Sequence, residues 1–313
     1  MEQHSLTRRS WLGTVTAAAV AKSSNAADKP KLRIDTHTHF YDPSRPEGVP
    51  WPGKGDGTLY RKVMPTEYEK LVMPHGITGT VAVEASAWVE DNRWLLEIAE
   101  KYPIVVGVVG RLIPSDADFA KNLTRFQKNP LYRGIRVTRG EVQLAAKSDA
   151  IFARFQAFAD TGLTLDVNGG PEVLADVAKL SDRLPKLRIV VNHMANVQID
   201  GKEPPKMWLD GLKSVGKREF VWCKLSGWVD SSLKREGKAP NTLDFYRPVV
   251  DAVWAAFGEE KLVFGSNWPV SNLYAPFATV HDLAAKYLAE KGEAEAARVF
   301  GANASDAYQL KRK

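Results

Sequence analysis

The chain has 313 residues, and 44% of them are hydrophobic, which allows a large buried core and excludes general disorder. Its formal net charge of +6 is a mild excess, and no basic stripe interleaved with aromatic residues predicts nucleic-acid binding. Cys223 is the only cysteine, which excludes an intramolecular disulfide and a thiolate metal cluster.

The first 26 residues have the pattern of a targeting segment. Arg8 and Arg9 precede a weakly hydrophobic run from Trp11 to Ala21, and small residues at 24–26 offer a cleavage site. This pattern resembles a bacterial twin-arginine export signal, and a basic tail before a short helix is the alternative. We therefore expect a periplasmic or otherwise exported mature protein of residues 27–313. Past residue 26, no stretch reaches the ~18 uncharged apolar residues that a membrane span requires.

Eight short β-branched runs follow, separated by stretches with helical apolar spacing. In chain order the runs are LRIDTH, TGTVAVEAS, IVVGVVGRL, RGIRV, LTLDV, LRIVVNHM, FVWCKLSG and KLVFGSN. Eight strands that alternate with helices at this length predict a parallel (β/α)8 barrel, the TIM barrel, as one domain. The alternative is a doubly wound open sheet, which usually has a Gly-rich phosphate turn where this chain has His-Thr-His.

The first predicted strand ends in the pair His37 and His39. Alternation along a strand would place Asp35, His37 and His39 on one face. Imidazoles at this spacing suit a transition metal or a site that polarises a substrate oxygen, and a hydrogen-bonded strand end is the plainer alternative. The segment that follows, residues 42–65, is rich in Pro and Gly and is expected to overhang the mouth of the barrel.

Polar residues also end most of the other predicted strands. TIM-barrel active sites lie at the carboxyl ends of the strands, so these side chains are expected to share one site. The candidates are His37, His39, Glu84, Arg136, Asp166, Asn168, His193, Lys224, Ser226 and Asn267. Each alone could cap a helix or satisfy a buried group, but such roles do not explain their common position.

Several ordered motifs resemble one family. DTHTHF, VVNHMANV, VFGSNWPVS and GANASDAYQL are similar to motifs of the amidohydrolase-related metal-dependent hydrolases, in the branch with lactonases of sugar acids and of 2-pyrone-4,6-dicarboxylate. The resemblance spans about residues 33–310. It implies that His37, His39 and His193 hold one divalent metal, zinc before others, or that the same imidazoles polarise a lactone carbonyl without a metal.

The eighth predicted strand departs from the pattern of that family. Relatives end this strand with Gly-Ser-Asp-Trp-Pro, whose aspartate is a metal ligand or a general base, whereas this chain has Asn267. An amide cannot accept a proton at neutral pH. We therefore expect Glu84 or Asp166 to activate water in its place.

The resemblance favours a hydrolase that opens a lactone or a related cyclic ester of a carboxylated small molecule. Arg136 would bind a substrate carboxylate, so the expected partner is a small anionic molecule. A decarboxylase or hydratase on the same barrel is a second hypothesis. A ligand-binding relative without activity is a third, because Asn267 replaces the usual aspartate. The sequence does not predict the oligomeric state.

The export signal generates a prediction about cellular location. The double substitution Arg8→Lys and Arg9→Lys should leave the precursor in the cytoplasm, because the adjacent arginines are the feature that the export receptor reads. Cell fractionation measures the result. The matched control is Lys22→Arg, which preserves a positive charge at a position after the apolar run. An undiminished periplasmic yield of the double variant would contradict the prediction.

Overall fold

Eight strands form the centre of the protein. The computed structural model describes residue 1, residues 32–234 and residues 237–310, so residues 2–26 of the predicted export signal lie outside the described residues. The strands are β1 (Ile34–Thr38), β2 (Gly79–Val83), β3 (Val105–Gly110), β4 (Tyr132–Thr138), β5 (Thr164–Asn168), β6 (Arg188–Val191), β7 (Val221–Leu225) and β8 (Leu262–Phe264). Each overlaps one of the eight β-branched runs.

The strands are parallel, and each pairs with the next along the chain. Main-chain hydrogen bonds then join the end of β1 to the residues after β8: the His39 N–H donates to the Trp268 carbonyl at 2.9 Å, and the Asn267 N–H donates to the His37 carbonyl at 2.9 Å. The sheet thus closes into a barrel. The prediction of a (β/α)8 barrel is confirmed, and the doubly wound open sheet is excluded by the consecutive strand order.

Helices surround the barrel and cover its outer surface with apolar side chains. They are α1 (Pro65–Val72), α2 (Asp91–Lys101), α3 (Phe119–Phe126), α4 (Arg139–Lys147), α5 (Asp149–Asp160), α6 (Val173–Arg183), α7 (Lys206–Gly216), α8 (Leu243–Phe257), α9 (Phe277–Ala289), α10 (Glu293–Ala297) and α11 (Asn303–Tyr308). In α6, for example, Val173, Val177 and Leu180 recur at helical spacing and are buried. No helix of the described residues is long and apolar enough to cross a membrane.

The amino-terminal end of the barrel is filled and closed. Its interior holds a cluster of buried apolar side chains that includes Ile34, Val81 and Val263, together with Tyr308 of α11. The Thr164 hydroxyl of β5 donates to the Ala307 carbonyl of α11 at 2.6 Å, which ties this helix across the opening. Only the carboxyl ends of the strands are therefore left to form a substrate site.

Strand β1 does not follow the simple alternation that its sequence predicts. Ile34 lies in the barrel interior, yet His37 also faces the interior, where its ring contacts Lys224 of β7. The pairing with β2 changes register between Asp35 and Thr38, and this irregularity reverses the alternation. Asp35 consequently bonds instead to the Tyr68 hydroxyl of α1 at 2.8 Å, so the prediction that it shares a face with both histidines was wrong.

The pairing of β4 with β5 generates a stability prediction. A Cβ atom on Gly134 would lie 2.2 Å from the main-chain oxygen of Thr164, so Gly134→Ala should destabilise the fold by about 3 kcal/mol. Gly140→Ala is the matched control, because a Cβ there meets nothing nearer than 3.6 Å and alanine favours the helix α4. Urea unfolding measures both variants, and equal midpoints would contradict the prediction.

Candidate active site

Three buried imidazoles lie together at the carboxyl end of the barrel. The ring centroids of His37 and His39 are 5.0 Å apart, and those of His37 and His193 are 4.3 Å apart. Two glycines make this approach possible: a Cβ on Gly265 would lie 2.9 Å from the Cβ of His37, and a Cβ on Gly227 would lie 2.8 Å from that of His193. The structure thus brings together the three histidines from two distant parts of the sequence.

Unusual backbone conformations position two of the candidate residues. His193 has φ 51°, and the next three residues are also left-handed, with φ between 45° and 57°. Asn267 has φ 58°, in the same region. Non-glycine residues in this conformation cost free energy and are concentrated at functional sites, so the surrounding contacts must hold these two turns in place.

A buried ion pair lies directly beneath His37. The Lys224 ammonium is 2.5 Å from the Asp166 carboxylate and 3.1 Å from Nδ1 of His37, and the Tyr308 hydroxyl donates to the other Asp166 oxygen at 2.9 Å. An ammonium only donates, so Nδ1 of His37 must accept and the single proton of this neutral ring lies on Nε2. That Nε2 atom is buried and makes no hydrogen bond to any other described residue.

All three imidazoles are neutral over the physiological range. Burial lowers the pKa of His39 to about 3, with the Arg136 charge adding to the effect. Burial and then the Lys224 charge hold the pKa of His37 and of His193 well below the usual range. The rings therefore act as neutral hydrogen-bonding groups rather than as cations.

His39 lies between the barrel wall and Asn267. Its Nδ1 donates to the Val83 carbonyl at 3.0 Å, which leaves Nε2 as an acceptor that faces the Asn267 Oδ1 atom at 3.3 Å. Two acceptors cannot form a hydrogen bond with each other. The contact is satisfied if a ligand supplies a donor to both atoms, or if the Asn267 amide rotates by 180° and presents its NH2 group to Nε2. Trp51, in the predicted overhanging segment, lies 6.1 Å from His39 between ring centroids, so this segment does reach the site.

Both carboxylates that were expected to activate water are held in ion pairs. Glu84 accepts from Nε of Arg136 at 2.9 Å and lies 3.6 Å from Arg111, while both oxygens of the fully buried Asp166 are bonded to Lys224 and Tyr308. Neither therefore presents an unpaired carboxylate to the site, and its expected role as the base stays a prediction.

The described residues do not fit a zinc ion held by His37, His39 and His193. Zinc needs unprotonated nitrogens that converge on one point, but Nδ1 of His37 is taken by the Lys224 ammonium and Nε2 carries the proton. Among the described residues, ligand atoms from three side chains lie within 4.8 Å of one another only in a separate cluster, which comprises His75, His281 and Asp282. In that cluster Arg33 is 3.1 Å from Nε2 of His281, which places the ring's proton on Nδ1.

Two charged residues near the imidazoles were not predicted from the sequence to be site residues. Arg111, directly after β3, lies 3.6 Å from the Glu84 oxygen that also accepts from Arg136, and it was visible in the run IVVGVVGRL as a strand-end cation. Asp230 lies in the loop after β7, beside Asn267. The one sequence feature that could have indicated it is its place in a loop at the end of the barrel where loops carry functional residues. The structure also places Ser226 2.8 Å from Nδ1 of His193.

Comparison with known proteins identifies the family. The model of the amidohydrolase family matches residues 34–310, nearly the whole barrel. This chain belongs to the amidohydrolase family. The resemblance inferred from the sequence motifs is thus confirmed.

Two amidohydrolases illustrate the similarity. An L-fucono-1,5-lactonase of Burkholderia ambifaria is 30% identical over 298 residues, which cover 90% of this chain and 97% of that protein. The crystal structure of an amidohydrolase from Burkholderia multivorans with bound zinc superposes with a TM-score of 0.80 at 26% identity, over 90% of this chain and all of that one. A divalent metal therefore occurs in a member of the family.

The ion pair beneath His37 generates a prediction. Lys224→Met should destabilise the protein by about 3–5 kcal/mol, because it leaves the Asp166 carboxylate buried without its cation. Adding Asp166→Leu should recover most of that stability, since the pair is then replaced by apolar side chains. Urea unfolding measures the stabilities of the single and double variants. A single variant as stable as the wild type would show that the pair is not buried as described.

Proposed function

We propose that this amidohydrolase is a lactonase, which adds water across the ester bond of a cyclic ester and releases a hydroxy acid. The observation that carries the proposal is the unpartnered Nε2–H of His37, held in that tautomer by Lys224 and buried among the other imidazoles. A buried donor with a fixed orientation stabilises the negative charge that develops on a carbonyl oxygen under attack. The lactonase from Burkholderia ambifaria supports the choice of a lactone as the carbonyl compound.

The charges around the site favour a substrate or product with a carboxylate. Two guanidinium groups, those of Arg136 and Arg111, lie at the same Glu84 carboxylate, while the Lys224 ammonium is paired with Asp166. The excess positive charge stabilises the oxyanion intermediate and the acid that is released. It also makes Arg136 and Arg111 the groups that would bind a carboxylate of the substrate, in a region shielded from bulk water.

The proposed reaction is carried out by protein groups, without a metal at the three imidazoles. The Lys224 contact with His37 supports this, because a cationic donor and a metal ion compete for the same ring. The zinc in the Burkholderia multivorans amidohydrolase belongs to that protein. Here the polarisation of the carbonyl is assigned to the His37 Nε2–H.

A panel of lactones tests the proposal. Five- and six-membered sugar-acid lactones, with and without an additional carboxyl group, are mixed with the protein and acid release is followed with a pH indicator, in the presence and absence of a chelator. We expect at least one lactone to reach a kcat/KM of about 10⁴ M⁻¹s⁻¹ or more, unchanged by the chelator. His37→Ala should lower kcat by roughly 10²-fold or more, because alanine has no donor for the carbonyl oxygen.

Asp244→Asn, at an exposed position of α8, is the control for this assay and should retain full activity. Activity that disappears with the chelator and returns with zinc would contradict the metal-free assignment. Ligand-induced stabilisation without any acid release would show that the chain binds lactones but does not hydrolyse them.

A further inference from the structure

The carboxyl group of Asp230 is buried next to Asn267. Asp230 is in the loop after β7, in a turn closed by the bond from the Ser231 N–H to the Gly227 carbonyl at 3.0 Å. Both of its carboxylate oxygens are buried, and neither makes a hydrogen bond of good geometry with the part of the chain that the structure describes. A buried carboxylate without partners is costly, so its retention requires an explanation.

The charged and titratable groups around Asp230 leave it available to take up a proton. Burial raises the pKa of its carboxyl to about 6, against the opposing effects of the Asn267 amide and the Lys234 ammonium. Lys234, on the same loop, donates to the main-chain carbonyl of Asp230 rather than to its carboxylate. From α8, the Tyr246 phenol faces Asp230, and burial with this negative charge raises its own pKa to about 12. None of these neighbours forms an ion pair with the carboxylate.

Asp230 lies beside the residue at which the end of β8 lacks a carboxylate. Asn267 stands where the eighth-strand motif of the resembled family has aspartate, and its side chain lies between Asp230 and Nε2 of His39. The alternatives are bound to cations: Glu84 to Arg136, and Asp166 to Lys224. Of the carboxylates considered for this site, Asp230 is the one that no cation of residues 32–234 and 237–310 holds.

We propose that Asp230 is the general base of the site and replaces, from the β7 loop, the carboxylate that the end of β8 lacks. This rests on the proposed lactonase function. In this assignment the Asn267 amide orients the attacking water between the carboxylate and the imidazoles.

The Asp230 carboxylate takes one proton from water as the water oxygen bonds to the lactone carbonyl carbon, and the π electron pair moves to the carbonyl oxygen, which accepts from His37. The carbonyl then re-forms and the ring C–O bond breaks. Its electron pair leaves with the ring oxygen, which takes the proton back from Asp230. The products are a hydroxy acid and the regenerated carboxylate.

Asp230→Asn tests the proposal on the best lactone of the panel. We expect kcat to fall by roughly 10²-fold or more with little change in KM, as expected for loss of a general base. The wild-type profile of kcat/KM against pH should lose activity on the acidic side with an apparent pKa near 6, and this limb should be absent in the variant. Asp244→Asn, which removes an exposed carboxylate, should keep both kcat and the limb.

The double variant Asp230→Asn with Asn267→Asp exchanges the two side chains and should recover at least tenfold of the lost kcat. Asn267→Asp alone provides a readout if Asp230→Asn does not fold, because a second carboxylate beside Asp230 should move the acidic limb to higher pH. The proposal is wrong if wild-type protein hydrolyses a lactone and Asp230→Asn keeps its kcat and its acidic limb, or if the limb does not move in Asn267→Asp. If wild-type protein hydrolyses no lactone, the proposed function fails and the role of Asp230 fails with it.

Discussion

The site depends on one interaction, the Lys224 ammonium held in the barrel interior between the Asp166 carboxylate and Nδ1 of His37. Removing an ammonium from water is costly, and the close carboxylate, itself bonded to Tyr308, offsets that cost. The ammonium in turn determines which nitrogen of His37 carries the proton. A charge in the interior thus sets the direction in which a neutral ring at the mouth can donate.

The charged groups in the barrel have different roles because their ion-pair partners differ. Glu84 is bound by Arg136 and lies near Arg111, so it orients these two cations. The imidazoles stay neutral because burial and nearby cations oppose their protonation. Residue type alone does not reveal these roles, since Glu84 and Asp230 carry the same functional group but have different neighbours.

The sequence was sufficient for the fold and for the position of the site, but not for the roles within it. Eight β-branched runs predicted eight strands, because hydrophobic patterning and strand count specify a closed parallel barrel. The histidines could be placed at the strand ends for the same reason. The register change in β1 could not be predicted, and neither could the ion pairs of Glu84 and Asp166, because both depend on contacts between strands distant in sequence. Asp230 was missed because its burial depends on a loop conformation that its sequence does not specify.

The helix that closes the base of the barrel links the chemistry of the mouth to the order in which the chain is synthesised. Tyr308 leaves the ribosome long after Asp166 and Lys224, yet its hydroxyl supplies one of the bonds to the Asp166 carboxylate. Domains fold as units, so a nascent chain that ends before α11 contains all eight strand sequences but lacks the residue that completes this ion pair. The last hydrogen bond of the buried network beneath His37 therefore forms only after almost the whole chain has been synthesised, when α11 packs across the base of the barrel.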